Sequence, residues 1–531
     1  MRTKGADYVL RKFATYLLVS SLLIWLTAYG QEQEASAQQQ VSTNHQQEVD
    51  ESAIDLFIET QLEKSHSPGA AVVIVRGNEV VYAKGFGWAD LEQGIPVTNT
   101  TLFELGSTTK AFTGLAILQL EQQGVLSLDA PVTRYLPWLE LNYEGVPVNV
   151  TIAQFLHHTS GVPFASLASI PIDASEEALE RTVRGIAGSE LASRPGESYE
   201  YATINYDVLG LVIQQLSGMT YEQYMLKMLQ ELGLNHTLPV SELNNDGRVA
   251  KGYKILMSSP HQFPAPIYRG NTPAGYLLSN VDDIGRWLML QLGNVDVLPA
   301  YQSILDRSHD PGTLPQQDQD GNYYAAGWFV SSQGNEWSHQ GSNPNYSSYI
   351  ILRPDQKLGV GVLANINSAY TFHIGKGLVS MFTEEPMPDE EADFYPQLDR
   401  IAMGAVFVIG SLILGLLLGM IRLFLQLRRE QRGYVPLSSR SWLKLGLVFV
   451  LFILYYWGIS KLITLLFSGL PLEVVAVWAP STVIWAIYGI YFIGLMLLVY
   501  FAVACLFPYK EHISTKSYDR VIEPDAAKEV K

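Results

Sequence analysis

The stretch LFELGSTTKAFTGLAILQLEQQGVLSLDAPVTRYLP (Leu102–Pro137) places a serine and a lysine, Ser107 and Lys110, three positions apart at the head of an apolar run. The ten residues that begin at Ala111 are apolar at all but three positions. This pattern predicts a helix that is hydrophobic nearly all round, lies in the domain interior and ends at Gly124. Ser107 and Lys110 then share one face of the first turn, where their functional groups can meet.

A serine hydroxyl is a poor nucleophile until a neighbouring base removes its proton. A lysine in a partly desolvated pocket can be that base, because desolvation lowers its pKa. Ser107 and Lys110 have the spacing that this chemistry needs. A purely structural alternative is a serine N-cap followed by a solvated lysine in the first turn. The two residues alone leave both interpretations open.

Leu102–Pro137 resembles the nucleophile region of the serine β-lactamase and penicillin-binding protein superfamily, whose nucleophile is the serine of a Ser-x-x-Lys motif. The similarity is to the branch related to class C β-lactamases and DD-peptidases. VTIAQFLHHTSGVP (Val150–Pro163) and TPAGYLLSNVDDIGRWL (Thr272–Leu288) are also similar to family segments, and the resemblance extends from about Ile54 to Phe382. It implies a serine hydrolase that forms an acyl-enzyme on Ser107.

PGESYEYATINYDVLGLVIQQLSG (Pro195–Gly218) is similar to the family's tyrosine motif, in which Tyr-x-Asn follows a proline-glycine turn. By this resemblance Tyr201 is catalytic, and a tyrosinate held near the lysine ammonium would move protons between serine, leaving group and water. The alternative is a tyrosine that only packs at the end of an element. Thr203 stands where the family usually has asparagine, and one hydroxyl in place of an amide argues against efficient β-lactam hydrolysis.

EWSHQGSNPNYSSYIILRPD (Glu336–Asp355) resembles the third family motif, with a His-x-Gly sequence, found in many members of this branch, in place of Lys-Thr-Gly. The resemblance implies that His339 lines the pocket from a strand edge, where it orients a substrate carboxylate or supports the tyrosine, with a charge that changes near neutral pH. Gly341 would let the substrate approach the backbone. The backbone N–H groups of Ser107 and Ser342 would form the oxyanion hole. A structural histidine is the alternative.

Hairpin patterns at both ends of the globular stretch indicate its fold class. AAVVIVRGNEVVYAKG (Ala70–Gly85) predicts two strands that turn at Gly77, and SSYIILRPDQKLGVGVLANIN (Ser347–Asn367) predicts two that turn at Pro354. Helical patterns lie between them. We therefore expect an α+β fold in which helices pack on an antiparallel sheet, as in β-lactamases and DD-peptidases, followed by three transmembrane α-helices.

Composition excludes several function classes. The chain has 531 residues, 48% of them hydrophobic, and a formal net charge of −17, so nothing suggests a nucleic-acid partner. Cys505 is the only cysteine, which rules out a disulfide framework or a cysteine zinc site, and no His-Glu-x-x-His pattern is present. We expect neither a metal nor a cofactor. The sequence also lacks the Gly-x-Ser-x-Gly motif of α/β-hydrolases.

The N-terminus combines basic residues with an apolar segment from about Phe13 to Ala28 and small residues that end at Ala37. This pattern predicts a signal peptide over residues 1–37, with a cut after Gly30 or an uncleaved anchor as alternatives. The segments expected after it are a glutamine-rich spacer (38–50), the serine hydrolase domain (51–383) and an acidic, proline-bearing linker (384–400).

Three hydrophobic runs, 401–421, 445–466 and 483–507, are each close to the ~20 residues that a membrane helix needs. Arginine and lysine are concentrated in the loop 422–444 and in the tail 508–531, so the positive-inside rule places both in the cytoplasm. The domain before the first run then lies outside the cell, as the export signal also predicts. We expect a multi-pass protein of the cell membrane.

The sequence therefore predicts a membrane-anchored extracytoplasmic serine hydrolase. The family resemblance implies D-alanyl peptide or ester substrates of the cell envelope, so that its partners are a small molecule or a wall polymer, and the membrane. Two alternatives stay open. The protein is either a membrane sensor that binds penicillin or a wall fragment with little turnover, or a membrane scaffold with an inactive hydrolase-like domain.

Overall fold

The computed structural model describes residues 50–243, 247–312, 317–383, 385–389, 393–434, 439–467 and 469–510. The predicted signal peptide and nearly all of the predicted spacer lie outside the described residues, as does the predicted cytoplasmic tail from residue 511 onward.

The strands of the described residues fall into a large sheet and several short pairs. In chain order they are β1 (Gly69–Arg76), β2 (Glu79–Asp90), β3 (Ile95–Pro96), β4 (Phe103–Glu104), β5 (Leu141–Tyr143), β6 (Val146–Val148), β7 (Leu238–Pro239), β8 (Tyr253–Leu256), β9 (Ser259–Gln262), β10 (Leu277–Ser279), β11 (Tyr323–Tyr324), β12 (Phe329–Val330), β13 (Trp337–Asn343), β14 (Tyr346–Arg353) and β15 (Leu358–Ala364). The large sheet has eight strands in the order β11-β12-β13-β14-β15-β1-β2-β3, all antiparallel to their neighbours.

The α-helices of the described residues pack around this sheet and continue into the membrane region. In chain order they are α1 (Glu51–Ser65), α2 (Lys110–Gln122), α3 (Ile152–Leu156), α4 (Ala178–Arg184), α5 (Ile204–Ser217), α6 (Tyr221–Glu231), α7 (Thr272–Gly275), α8 (Val281–Gln291), α9 (Pro299–Ser308), α10 (Tyr370–Phe382), α11 (Phe394–Arg428), α12 (Ser439–Leu466), α13 (Leu472–Trp478) and α14 (Ser481–Leu506).

Both predicted hairpins are present in the sheet. β1 and β2 are joined at Gly77, whose φ of 62° suits a glycine, and β14 and β15 are joined by a turn over Pro354–Gln356. β1 is buried at seven of its eight residues because both faces of the sheet are covered. On one face Ile284 of α8 packs over Gly361, and on the other Tyr349 of β14 packs against α10. The structure confirms the predicted combination of helices with an antiparallel sheet.

α2 is the buried helix that the apolar run predicts. Ten of its thirteen residues are buried, and it packs against α5 and α9. Phe112 stacks on Trp287 of α8 with ring centroids 4.1 Å apart, which ties α2 to the helix that covers the sheet. A 3₁₀ turn over Gly106–Thr109 leads directly into α2. The residue pair that opens the helix is therefore held between the sheet and the helical part of the domain.

Three helices in the described residues, α11, α12 and α14, are long and apolar enough to cross a membrane. They contain nearly all of the three predicted runs. α11 begins at Phe394, so that part of the segment predicted as a linker is helical. α14 packs against both α11 and α12. An α+β domain followed by three candidate spans is the fold class that the sequence predicts.

Candidate active site

Ser107 lies in the 3₁₀ turn that precedes α2, and two neighbours fix the position of this turn. Ser348 of β14 and Thr108 both donate hydrogen bonds to the carbonyl oxygen of Leu105, at 2.6 and 2.8 Å. Gly106 has a φ of 55°, and a Cβ there would lie 2.5 Å from the backbone nitrogen of Ser342. Glycine thus lets the Ser107 turn pack directly against the edge of β13.

Lys110 points back from the first residue of α2 to Ser107. Its Nζ lies 3.0 Å from Ser107 Oγ, 3.2 Å from Thr203 Oγ1 and 2.8 Å from the carbonyl oxygen of Ala274. Lys110 is fully buried, whereas Ser107 is half-buried and so accessible from the cleft. The alternative of a solvated lysine at a helix start does not fit this geometry.

Burial lowers the pKa of Lys110 from its usual value to about 7, although the negative charge of Asp207 opposes this effect. Asp207 is itself fully buried on α5, and burial raises its pKa well above the usual value while Lys110 lowers it. With the amide nitrogen of Asn271 facing Asp207, Asn271 donates to both carboxylate oxygens at 2.9 and 3.1 Å. Near neutral pH a substantial fraction of Lys110 is therefore neutral.

The three partners of Lys110 suit a neutral amine. Such an amine has two N–H groups and one lone pair. The carbonyl oxygen of Ala274 can only accept, so it takes one N–H, and Thr203 takes the other. The lone pair then faces the hydroxyl of Ser107 at 3.0 Å. This arrangement can support proton transfer from Ser107 to a neutral Lys110.

The ring of Tyr201 also packs close to the Lys110 amine. Lys110 Nζ lies 5.0 Å from the centroid of the Tyr201 ring. Burial raises the pKa of Tyr201 above its usual value, and the nearby Ser107 hydroxyl opposes the rise only in part. The phenol oxygen is close enough to Ser107 for this effect but finds no well-directed hydrogen bond within the described part of the chain. The resting side chain is therefore a phenol and not the tyrosinate expected from the family motif.

Thr203 joins the site through Lys110. Its hydroxyl accepts a hydrogen bond from the amine at 3.2 Å, and the residue lies directly before α5. One hydroxyl oxygen cannot offer the donor and acceptor pair that an asparagine amide would present to a substrate. Because threonine stands here in place of the family's usual asparagine, the cleft lacks a side-chain amide at this position.

His339 is placed differently from expectation. Its Nδ1 donates to the carbonyl oxygen of Gln340 at 2.7 Å, so that Nε2 accepts from the hydroxyl of Tyr324 at 3.0 Å. Burial and the charge of Lys110 lower its pKa to about 3, which keeps the ring neutral near pH 7. His339 therefore presents no free N–H to a carboxylate and does not titrate near neutrality. The centroid of its ring lies 6.2 Å from that of Tyr201, so His339 packs among the aromatic side chains of the site.

The strand that carries the third motif packs against the Ser107 turn. β12 pairs with β13 only at Trp337 and Ser338, which leaves the edge of β13 at Gly341 and Ser342 beyond that short strand. A Cβ on Gly341 would overlap the carbonyl oxygen of Leu105. A glycine at position 341 therefore allows β13 to pack against the segment that carries Ser107, in addition to any contact with substrate. Ser342 lies beside the nucleophile turn, where the resemblance puts the oxyanion hole.

His158 belongs to the site but was not assigned a role from the sequence. Its ring packs against that of Tyr201 at an interplanar angle of 33°, with centroids 4.3 Å apart. Its Nδ1 accepts from the amide of Asn205 at 2.9 Å and from the backbone N–H of Ala202 at 3.3 Å, so the proton is on Nε2. Burial and the charge of Lys110 lower its pKa well below the usual value. A neutral His158 thus fixes the tyrosine ring; the only sequence signal for it was its family-like segment.

One large cavity is not lined by Ser107, Lys110, Tyr201 or His339. It has a volume of about 510 Å³ and lies beyond Glu104, whose carboxylate accepts from the amide of Asn343 at 2.6 Å. Burial raises the pKa of Glu104 to about 7. The chemistry converges at Ser107, so the candidate active site is there and the cavity is its neighbour.

Within the described ranges, no group of three or more His, Cys, Asp or Glu side chains is arranged to hold a metal ion. The chemistry available at Ser107 is that of a serine with a buried amine base.

Comparison with known proteins places this geometry in a family. The family model described as beta-lactamase matches residues 54–376. Protein flp of Staphylococcus aureus (strain N315) is 32% identical over 408 residues, which are 76% of this chain and 81% of that protein.

Two solved structures share the fold. The octameric penicillin-binding protein homologue from Pyrococcus abyssi superposes with a TM-score of 0.55 at 29% identity, over 67% of this chain and 81% of the other. A mutant of a class C beta-lactamase superposes with a TM-score of 0.54 at 22% identity, over 63% of this chain and 99% of the other. The family model covers more than half of the chain and includes the Ser-x-x-Lys pair of Ser107 and Lys110, so the chain belongs to the beta-lactamase family.

Proposed function

We propose that the protein is a membrane-anchored extracytoplasmic serine hydrolase that acts through an acyl-enzyme on Ser107. The observation that carries this proposal is the contact between Lys110 Nζ and Ser107 Oγ at 3.0 Å, made by a lysine whose pKa burial lowers to about 7. A base that is partly neutral at the working pH and within hydrogen-bond reach of the hydroxyl is what serine activation needs.

In the proposed acylation, Lys110 accepts the hydroxyl proton as Ser107 Oγ bonds to the substrate carbonyl carbon. The carbonyl oxygen becomes an oxyanion, which the backbone N–H groups of Ser107 and Ser342 stabilise. The bond to the leaving group then breaks, and the leaving group takes a proton from the Tyr201 phenol, which Lys110 reprotonates. Water attacks the acyl-enzyme in the reverse sense, releases the acid and restores Ser107.

The proposed substrates are D-alanyl peptides or D-alanyl esters of the cell envelope, either small molecules or wall polymers. Support comes from membership in a family whose relatives include a penicillin-binding protein homologue. Thr203 shifts the balance within this class away from β-lactams, because no asparagine amide is present to hold an acyl-amide side chain. An ester places fewer demands on such contacts, because it is the more reactive acyl donor.

The proposed orientation has the hydrolase domain outside the cell. The last turns of α11 and the loop that follows carry Arg422, Arg428, Arg429 and Arg432, at the end of α11 opposite to Phe394, where the helix leaves the hydrolase domain. The positive-inside rule assigns that side to the cytoplasm.

A second candidate is a membrane sensor that is acylated on Ser107 with little turnover. Two observations favour it: the loss of the asparagine at Thr203, and hydrogen bonds that join the hydrolase domain to the candidate spans, such as the bond from the backbone N–H of Ser258 to Asp399 of α11 at 2.7 Å. Both candidates need the same nucleophile and differ only in the fate of the acyl-enzyme.

The test uses the full chain in proteoliposomes. Wild type and Ser107→Ala are treated with a fluorescent penicillin and a fluorophosphonate, and the release of the penicillin acyl group is followed over time. We expect wild type to be labelled, Ser107→Ala to stay unlabelled, and the acyl group to be released. Persistent penicilloyl label with no hydrolysis of D-alanyl esters would favour the sensor, and equal labelling of both proteins would reject the nucleophile.

A further inference from the structure

The hydrolase domain contacts the candidate spans through the β8–β9 hairpin, which we call the docking hairpin. Its turn residues Met257 and Ser258 have φ values of 51° and 61°, so the turn is tight, and both backbone N–H groups donate to Asp399 of α11, at 3.3 and 2.7 Å. Thr482 of α14 donates to the same carboxylate at 2.5 Å. Asp399 is fully buried by these contacts. One carboxylate thus joins the hydrolase domain to two candidate spans.

Lys254 forms a second connection from the same hairpin. Its Nζ donates to the carbonyl oxygens of Ala476 and Val477, at 3.2 and 2.9 Å, in the last turn of α13. A cation is stabilised at this end of a helix, where carbonyl groups lack partners. Lys254 is only 5% exposed, and its Nζ also lies 4.3 Å from the centroid of the Phe263 ring. The Lys254 amine therefore bonds the docking hairpin to the segment that connects α12 and α14.

The chain between the domain and the first span is also bonded to the domain. Asp393 accepts from the hydroxyl of Ser368 at 2.5 Å and from the backbone N–H of Ala369 at 3.1 Å. Asn367 donates to the hydroxyl of Tyr395 at 2.9 Å. These contacts and the docking hairpin hold the domain in one orientation on the spans, instead of leaving it on a free tether.

This orientation brings the catalytic edge of β13 close to the spans. Pro344, in the turn between β13 and β14, lines a gap of only about 10 Å³ together with Trp478 and Pro480. Ser342 is two residues earlier, and two residues of extended chain span at most ~7 Å. The base of the docking hairpin also forms part of the 510 Å³ cavity beyond Glu104. The cleft therefore lies next to the ends of the candidate spans.

The residues at this level have the chemistry of a membrane surface. Tyr395 and Trp478 flank the ends of the spans that face the hydrolase domain, and tyrosine and tryptophan are enriched where hydrocarbon meets headgroups. The polar groups at this level have hydrogen-bond partners within the protein. Asp399 accepts from Thr482 and from the docking hairpin, and Lys254 donates to the carbonyl oxygen of Val477.

We propose that the docking hairpin fixes the catalytic cleft at the membrane surface, and that the substrate is an acyl ester or amide carried by a molecule anchored in the same membrane. This inference rests on the proposed hydrolase function and narrows its substrate class. A cleft held at the surface meets a lipid-anchored acyl group at high effective concentration and in a restricted orientation. A polymer segment far from the membrane is out of reach of a domain that cannot swing away.

The test compares two esters with the same acyl and leaving groups, one linked to a diacylglycerol and one ending in a methyl cap, with the full chain in proteoliposomes. We expect wild type to hydrolyse the anchored ester at least about tenfold faster than the soluble one at equal bulk concentration. Lys254→Met and Asp399→Ala should lower this ratio at least about fivefold, because both variants keep the spans but lose the fixed orientation. Hydrolysis of the soluble ester should change less than about twofold.

Lys227→Met is the matched control, because Lys227 is exposed on α6 and remote from these contacts. Lys254→Met removes two hydrogen bonds and the contact of the amine with the Phe263 ring, and it leaves the spans unchanged. It therefore serves as the deciding variant if Asp399→Ala fails to insert into the membrane. A ratio that Lys254→Met leaves unchanged, or a wild type with no preference for the anchored ester, would overturn the proposal.

Failure of the proposed function gives a different result: neither ester is hydrolysed, or Ser107→Ala hydrolyses both. Docking then has its own readout, which does not depend on turnover. A fluorophore at Lys227→Cys, in a Cys505→Ser background, should report a single transfer distance to acceptor-labelled lipids that Lys254→Met broadens. A broad distribution already in the unsubstituted hairpin would reject docking.

Discussion

Lys110 and Ser107 form one hydrogen-bonded pair at 3.0 Å, in which a fully buried amine meets a hydroxyl that is open to the cleft. The amine has no solvent contact, so its base strength is set by protein groups alone, chiefly by desolvation and by Asp207. The pH dependence that we expect for the site depends on how easily this amine gains and loses a proton.

Substitution Lys110→Met removes the base but keeps the length of an unbranched side chain. Phosphonylation of Ser107 by a fluorophosphonate, in which the Ser107 oxygen bonds to phosphorus and fluoride leaves, should slow by about 10²- to 10⁴-fold, because the hydroxyl loses its proton acceptor. The rate is measured from labelling reactions that are quenched at successive times, and circular dichroism checks that the fold persists. Lys227→Met is the control for loss of a lysine at an exposed position. Labelling at the wild-type rate in a folded Lys110→Met protein would exclude Lys110 as the base.

The pH dependence of acylation should report the pKa of Lys110. Only the neutral amine accepts a proton, so the rate should rise with pH and reach half its plateau near the lowered pKa of about 7. Burial raises the pKa of Tyr201, so that the phenol keeps its proton and causes no fall in rate between neutrality and pH 9. A profile that is flat from pH 5 to 9 would contradict this assignment.

Asp207→Asn keeps the shape of the side chain and removes the negative charge that raises the pKa of Lys110. The rising limb of the pH–rate profile should therefore move to lower pH, while the plateau stays within about threefold because Asp207 does not touch the substrate. The measurement is the same labelling series. A limb that moves to higher pH would show that the charge on Asp207 does not act on Lys110 as inferred.

His339→Gln tests the role of a histidine that stays neutral. Because burial holds its pKa at about 3, the substitution should leave the shape of the pH–rate profile unchanged between pH 5 and 9. The plateau should fall by about tenfold or less, since the ring supports Tyr324 and Tyr201 without entering the proton transfer. Loss of a titration near pH 6.5 in this variant would show that His339 does ionise during turnover.

Gly341→Ala should separate the strand edge from the nucleophile turn, because the added methyl would overlap the carbonyl oxygen of Leu105. Overpacking of this kind costs about 1–3 kcal/mol of stability, and the shift of Ser342 should lower labelling of Ser107 by at least about 10²-fold. Thermal unfolding and labelling are measured together. Gly247→Ala, where an added Cβ meets no atom within 4 Å, is the control. Full labelling in Gly341→Ala would contradict an oxyanion hole at Ser342.

The sequence predicts those parts of the fold whose signals are local. The hairpins at Gly77 and Pro354 have alternating or continuous apolar strands on both sides of a turn, and the buried helix after Lys110 has an uninterrupted apolar pattern. Ser107 and Lys110 are three positions apart, so any helix brings them together. Tyr201 and Thr203 are more than ninety residues away, and only the family resemblance connected them with Ser107.

Contacts made only in three dimensions escaped prediction. Asp207, Asn271 and His158 are ordinary polar residues in the sequence, and their roles follow from packing around Lys110. The neutral state of His339 likewise depends on burial, which its motif does not reveal. Asp399 stands in a segment with the composition of a solvated linker, yet the docking hairpin and Thr482 bury it completely. The low apolar content of a segment does not reveal the residues, distant in sequence, that form hydrogen bonds with it and bury it.

The most direct test of the account is to identify the residue whose side chain acts as the nucleophile. The full chain is treated with a fluorophosphonate, digested and examined by mass spectrometry, alongside a folded Ser107→Ala variant. The account predicts one adduct, on the peptide that contains Ser107, and none in the variant. An adduct on another residue, or equal modification of both proteins, would contradict it.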